Sequence, residues 1–277
     1  MLTERSIDTY RSSACHVTDG SSPLADEVLV TREDAILVVT INRPAARNAI
    51  NAATSRGVAS AMDELDNDPT LTIGILTGAG GNFSAGMDLK AFLQGERPEI
   101  DGRGLAGITE TPPSKPLIAA VEGFALAGGC EIVLASDLVV AADNATFGIP
   151  EVTRGLVAGS GGLIRLPQRI PRQIALEYAL TGARLSAVDA ARWGLVNRLT
   201  RPGGALDGAR ELAAAIALNG PLGVQMTKRI VSESAAWPAD EVWDRQRSLV
   251  DSVLATNDAR EGAAAFAEKR EPKWTGT

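Results

Sequence analysis

KPLIAAVEGFALAGGCEIVLASDLVVAADNATFGIPEV, residues 115–152, decides the fold class. Two short apolar runs, KPLIAAVEG (115–123) and DLVVAA (137–142), are bounded by Pro, Gly or Asp in the manner of strands. Between them Ala127, Gly128 and Gly129 open onto a short apolar helical pattern. Strand, helix and strand in quick succession predict an α/β fold whose strands are covered on both faces.

Working outward, TIGILTG (72–78) supplies another apolar strand, and from Ala52 to Asp66 the positions Val58, Ala61, Met62 and Leu65 recur at helical spacing. Further upstream EVLVTRE and AILVVTINRP meet at Glu33 and Asp34 and read as a hairpin. Residues 94–113, QGERPEIDGRGLAGITETPP, show neither period and predict a long loop. Beyond Leu199 only helical patterns remain, at 205–218, from Pro221, after Pro238 and near 258–269. The expected organisation is a polar leader over 1–25, a core over 26–202 and a helical C-terminal subdomain over 203–277.

Composition narrows the function classes. The chain has 277 residues, 45% of them hydrophobic and 22% charged, as folded soluble proteins have. With 27 basic against 34 acidic residues the net charge is −7, which leaves no broad cationic face for nucleic acid or an anionic membrane. No apolar run reaches the roughly 18–20 residues of a membrane span. The first residues lack an apolar segment of the signal-peptide kind, and Cys15 and Cys130 make no disulfide framework, so the cytoplasm is the expected location. His16, in the leader, is the only histidine, which nearly closes histidine-dependent catalysis and leaves acid–base work to carboxylates.

Three motifs carry chemistry. In GNFSAGMDLKAF (81–92), glycines lead into a helix and can expose backbone amides to a developing negative charge. A plain strand-to-helix turn explains the same residues. In EGFALAGGCEIVLASD (122–137), an amide at Gly128 paired with one at Met87 would make an oxyanion hole, while close helix packing explains the glycines equally well. The third feature is a pair of acids, Glu131 and Glu151. Helix-dipole stabilisation is the structural alternative for Glu131; for Glu151 it is an N-terminal helix charge or a salt bridge to Arg154.

Together NRPAARNAIN (42–51), FSAGMDLK (83–90), residues 115–152, GGLIRLP (161–167), TGARLSAVDAARWGLVNR (181–198) and EGAAAFAEKREPKW (261–274) resemble the enoyl-CoA hydratase, or crotonase, superfamily, in family order and spacing over about 28–274. The resemblance implies a spiral of ββα units with a helical C-terminal trimerisation region, assembled as a trimer or hexamer. By position Met87 N–H and Gly128 N–H become the oxyanion hole, and Glu131 and Glu151 match the two glutamates of true hydratases. Ala46, Arg47, Ala49, Ala85, Asp88 and Leu89 are placed near coenzyme A, with Phe266 and Lys269 reaching a neighbouring subunit's nucleotide.

The substrate it implies is an acyl-CoA thioester, with no metal and no cofactor beyond the coenzyme A that the substrate carries. Two departures stand out: Ala127 replaces a family glycine, and Met87 is larger than the alanine often found there. Hydration of a 2-enoyl-CoA in fatty-acid degradation is the leading expectation. A carnitinyl-CoA dehydratase, an isomerase and a non-enzymatic acyl-CoA-binding scaffold are its rivals.

Overall fold

The structure, a computed structural model, describes residues 26–277. The expected leader, with Cys15 and His16, lies outside the described residues. Strands β1 (Val28–Glu33) and β2 (Ile36–Ile41) form the hairpin, followed by α1 (Ala52–Asn67), β3 (Ile73–Gly78) and the short α2 (Leu89–Leu93). Next come β4 (Glu99–Ile100), β5 (Gly104–Leu105), β6 (Leu117–Val121), β7 (Phe124–Leu126), α3 (Gly128–Ala135), β8 (Leu138–Ala142) and β9 (Thr146–Gly148). After a 3-10 turn at Glu151–Arg154 follow α4 (Gly162–Arg169), α5 (Arg172–Thr181), β10 (Leu185–Ser186), α6 (Ala187–Trp193) and β11 (Arg198–Thr200). Four helices close the chain: α7 (Ala205–Ala217), α8 (Pro221–Glu233), α9 (Val242–Leu254) and α10 (Asn257–Glu268).

The main sheet has six strands in the order β1-β2-β3-β6-β8-β11, antiparallel only at the β1–β2 hairpin and parallel thereafter. A smaller sheet, β10-β9-β7, stands beside it. Period-2 alternation sorts the main sheet's side chains onto two faces. Leu37, Val39, Ile41, Leu117, Ala119 and Val121 join Val58, Met62 and Leu65 of α1 in the larger core. Ile36, Val38, Ile73, Ile75, Ile118 and Ala120 turn the other way, onto Ala209 and Ala213 of α7. Because both faces are covered, the strands read as unbroken apolar runs.

The helical stretch expected from 203 thus begins with a helix laid on the sheet, and its small alanines let the two backbones approach closely. The 94–113 segment also holds more structure than its lack of period implied. β4 and β5 pair within it, and Leu105, Ala106 and Ile108 are buried against the larger core. α8 is tied down by Lys228, whose ammonium donates to Pro113 O at 2.7 Å, Lys115 O at 3.0 Å and Asp137 Oδ2 at 2.6 Å. No helix among the described residues is long and apolar enough to cross a membrane.

Candidate active site

The site grows from the turn between β7 and α3. Ala127 occupies φ 50° and ψ −128°, a conformation that favours glycine, and its amide donates to Gly148 O at 2.9 Å. A side chain held there costs on the order of 1–3 kcal/mol, which the surrounding fold must offset. All eight residues of α3, Gly128 to Ala135, are buried. Its first turn presses on the 83–88 strip: a Cβ added to Gly129 would overlap Ser84 O.

That strip is itself locked on both sides. Ser84 N donates to Phe124 O at 3.1 Å, Ala85 N to Arg47 O at 3.0 Å, Ile50 N to Gly86 O at 2.8 Å and Asp88 N to Ile50 O at 2.8 Å. Gly86 has φ +91°, and a Cβ there would lie 2.8 Å from Gly128 N. A Cβ added to Gly128 would lie 3.5 Å from Met87 N and would overlap Leu105 Cδ2. The two amides expected to pair are therefore neighbours. Among the described residues, neither Met87 N nor Gly128 N has a protein acceptor.

Glu131 lies one turn into α3 and is 2% exposed. Its Oε1 accepts from Ser160 N at 2.8 Å and Gly162 N at 2.9 Å, amides of the turn that starts α4 rather than of its own helix. Burial pushes its carboxyl above the ordinary range, while the Gly162 and Ser160 amides and the Arg165 guanidinium pull back towards the ionised form.

Glu151, half-buried, follows Pro150 in the 3-10 turn. Its Oε2 is buried with no hydrogen-bond partner. Burial raises its pKa and the charge of Glu131 raises it further, against opposing effects of its own backbone amide and of Arg154. The alternative of a Glu151–Arg154 salt bridge is not realised, since Arg154 Nη1 donates to Thr153 Oγ1 at 3.3 Å. Cys130, beside Glu131, has its thiol pushed up to about 12 by burial, so it stays protonated and unreactive at neutral pH.

Of the residues placed near coenzyme A, the structure brings Ala46, Arg47, Ala49, Ala85, Asp88 and Leu89 into one patch through the amide ladder between 47–50 and 85–88. Arg47, with φ 55°, and Leu89 are exposed there. The Asp88 carboxylate is already engaged, pairing with Arg43 Nη1 at 3.0 Å and capping α2. Burial raises its pKa, but the Ala91 amide and Arg43 outweigh this and hold the carboxyl below the ordinary range. Phe266, 88% exposed, on α10 and Lys269, which caps its C-terminal end, stand apart; among the described residues no hydrogen bond or ion pair joins them to the patch.

Several contributors carried no clear sequence signal. Asn48 is buried and stitches the patch together, donating to Ala79 O at 2.8 Å and Asn82 O at 2.7 Å while accepting from Arg43 N at 3.0 Å. Ser160, Gly162 and Leu105 act through backbone or packing. Only the glycine pair of GGLIRLP hinted at the clamp on Glu131. A cleft of about 1910 Å³ opens elsewhere, between α3, α4, α8 and α10, lined by Leu134, Arg169, Leu222, Lys228 and Trp274 among others. Neither glutamate lines it.

Residues 31–277 match the family described as enoyl-CoA hydratase/isomerase. A carnitinyl-CoA dehydratase of Escherichia coli (strain K12) is 44% identical over 261 residues, covering 91% of this chain and 100% of that protein. The crystal structure of an enoyl-CoA hydratase from Mycobacterium tuberculosis H37Rv superposes with a TM-score of 0.90 at 61% identity, covering 91% of this chain and 100% of that one. A carnitinyl-CoA hydratase from Mycobacterium avium gives a TM-score of 0.73 at 42% identity, covering 91% and 99% of the respective chains.

Proposed function

The chain belongs to the enoyl-CoA hydratase/isomerase family, and from that premise we propose that it adds water reversibly across the 2,3 double bond of a 2-enoyl-CoA thioester. The observation that carries the reading is a buried and a half-buried glutamate in unlike seats, together with two neighbouring unpaired amides at the start of the helix that carries the first. Addition of water places negative charge on the thioester oxygen. Met87 N–H and Gly128 N–H are preorganised to hold that charge more strongly than the neutral carbonyl, typically worth about 2.7–4 kcal/mol per donor.

Glu131, whose carboxyl the Ser160 and Gly162 amides hold in place, takes a proton from water as the oxygen bonds to C3. Glu151, held towards its neutral form, delivers a proton to C2. The overall reaction consumes one water, and the two carboxyl groups exchange roles in the reverse direction.

Coenzyme A is placed along Ala46, Arg47, Ala49, Ala85, Asp88 and Leu89, where backbone groups supply most contacts. With a net charge of −7 the protein offers the anionic thioester no long-range attraction, so local cations such as Arg47, and Lys269 from a neighbouring subunit, must offset it. That trans contribution of Phe266 and Lys269 needs a trimer or hexamer. The exposed apolar side chains of Trp243, Leu254 and Phe266 on α9 and α10 support such an assembly. A monodisperse monomer in sedimentation at micromolar concentration would remove it. A cytoplasmic setting in fatty-acid breakdown fits the cysteine usage and the substrate class.

A second reading, dehydration of carnitinyl-CoA, is favoured by the names of the relatives at 42–44% identity. It uses the same acids and the same oxyanion hole. Following the conjugated enoyl-thioester absorbance with crotonyl-CoA, longer enoyl-CoAs and crotonobetainyl-CoA separates the two. Turnover confined to crotonobetainyl-CoA selects the second reading, and binding without turnover on every thioester overturns both.

A further inference from the structure

Arg165 sits on α4, one turn after the glycines that clamp Glu131. Its Nη2 donates to Thr109 O at 2.6 Å. The guanidinium also lies directly over Gly161: a Cβ added there, at φ +91°, would overlap Arg165 Nη1 and lie 3.4 Å from its Cζ. Gly161 is the link between Ser160 and Gly162, whose amides hold Glu131 Oε1. Thr109 ends the buried stretch that brings Leu105 against Gly128. One planar cation therefore spans the carboxylate clamp and the wall of the oxyanion turn.

The geometry points to Arg165 as a positioning residue that fixes the Ser160–Gly162 clamp on Glu131 and ties it to the segment packing Leu105 on the oxyanion glycine. This role rests on the acid–base assignment of Glu131 made above. Lysine cannot reproduce it fully, because a single ammonium cannot set one nitrogen against Gly161 while another donates to Thr109 O. The charged and titratable groups around Glu131 are Arg165 and, behind it, Arg169 on α4, Glu151 and Arg154 in the 3-10 turn, and the protonated Cys130 thiol. Arg165 is the positive group that lowers the Glu131 pKa.

The test compares Arg165→Met, Arg165→Lys and Glu131→Gln in kcat, KM, thermal stability and the pH profile of kcat/KM. Arg165→Met is expected to lower kcat by ~10- to 100-fold with KM little changed, as for a small misplacement of a catalytic group. It should also move the acidic limb upward, since Glu131 loses its cation. Arg165→Lys should keep the limb in place and regain only part of kcat. A purely structural arginine would lower stability and leave the limb unmoved in the folded fraction, which overturns the proposal. Where Arg165→Met fails to fold, full kcat in Arg165→Lys overturns it instead. Near-normal turnover by Glu131→Gln would defeat the acid–base assignment, an outcome distinct from failure of the arginine role.

Discussion

The seats of Glu131 and Glu151 differ in what meets the carboxyl. Glu131 is carried by a helix without an exposed residue and receives two amides from the start of α4, with a guanidinium behind them. Glu151 hangs from a single 3-10 turn with a buried oxygen that nothing donates to. Burial raises both; the first seat returns stabilisation to the charged form through the Gly162 and Ser160 amides and Arg165, and the second through its own backbone amide and Arg154, against the added repulsion of Glu131. Two identical side chains are thereby raised in unlike surroundings, one with amide donors on its carboxyl and the other facing a like charge, and the proposed division into base and acid draws on that difference.

The sharpest way to break this comparison is to remove either carboxyl without changing its shape. Glu131→Gln and Glu151→Gln are each expected to lower kcat by at least ~100-fold while thioester binding largely survives. If one variant hydrates at a near-normal rate, the division of labour fails, and the surviving glutamate serves both steps alone.

A smaller effect should follow from disturbing only the clamp. A Cβ at Gly162 would lie 2.8 Å from Glu131 Cγ and 3.1 Å from its Oε1, so Gly162→Ala must displace the carboxylate. We expect a fall in kcat of ~10-fold with the Glu151 seat untouched, as for a sub-ångström shift of a positioned group. Unchanged kcat in a folded Gly162→Ala enzyme would show that the amide from α4 is dispensable.

How much of this was legible in the sequence follows the same division. The strands of the main sheet were readable because both faces are covered, leaving runs such as LIAAV without polar interruption. The two acids stood out as charges in apolar surroundings, and the family resemblance supplied their roles. What stayed hidden acts through groups that every residue owns: the amides of Ser160 and Gly162 have no side-chain signature. Leu105 and Ile108 sit in a segment whose hairpin is two residues per strand, too short to show a period. α7 was recognised as a helix, but its alanine stripe gave no hint that it covers the sheet, because Ala209 and Ala213 matter for being small.

The smallest expected effect concerns stability, and it differs between the seats. A carboxyl whose folded pKa lies above its unfolded value contributes stability that is complete below the unfolded pKa and is lost as pH rises through the folded one. Both glutamates are raised, so at neutral pH each carries a cost of being charged inside the fold. Glutamine removes that cost at both positions, but at Glu131 it also replaces charge-assisted acceptance from two amides with weaker neutral bonds. At Glu151 nothing donates to the buried Oε2, so less is forfeited there. Since Glu151 is only half-buried, water screens part of its charge and the gain is modest. Glu151→Gln should raise Tm at pH 8 by on the order of 2 °C, with the advantage shrinking at pH 4 as the wild-type carboxyl protonates. Glu131→Gln should show a smaller gain or a loss. Thermal melts of both variants at the two pH values check this, and a Glu151→Gln enzyme that melts below wild type at pH 8 would mean that its carboxylate is stabilised in the fold after all.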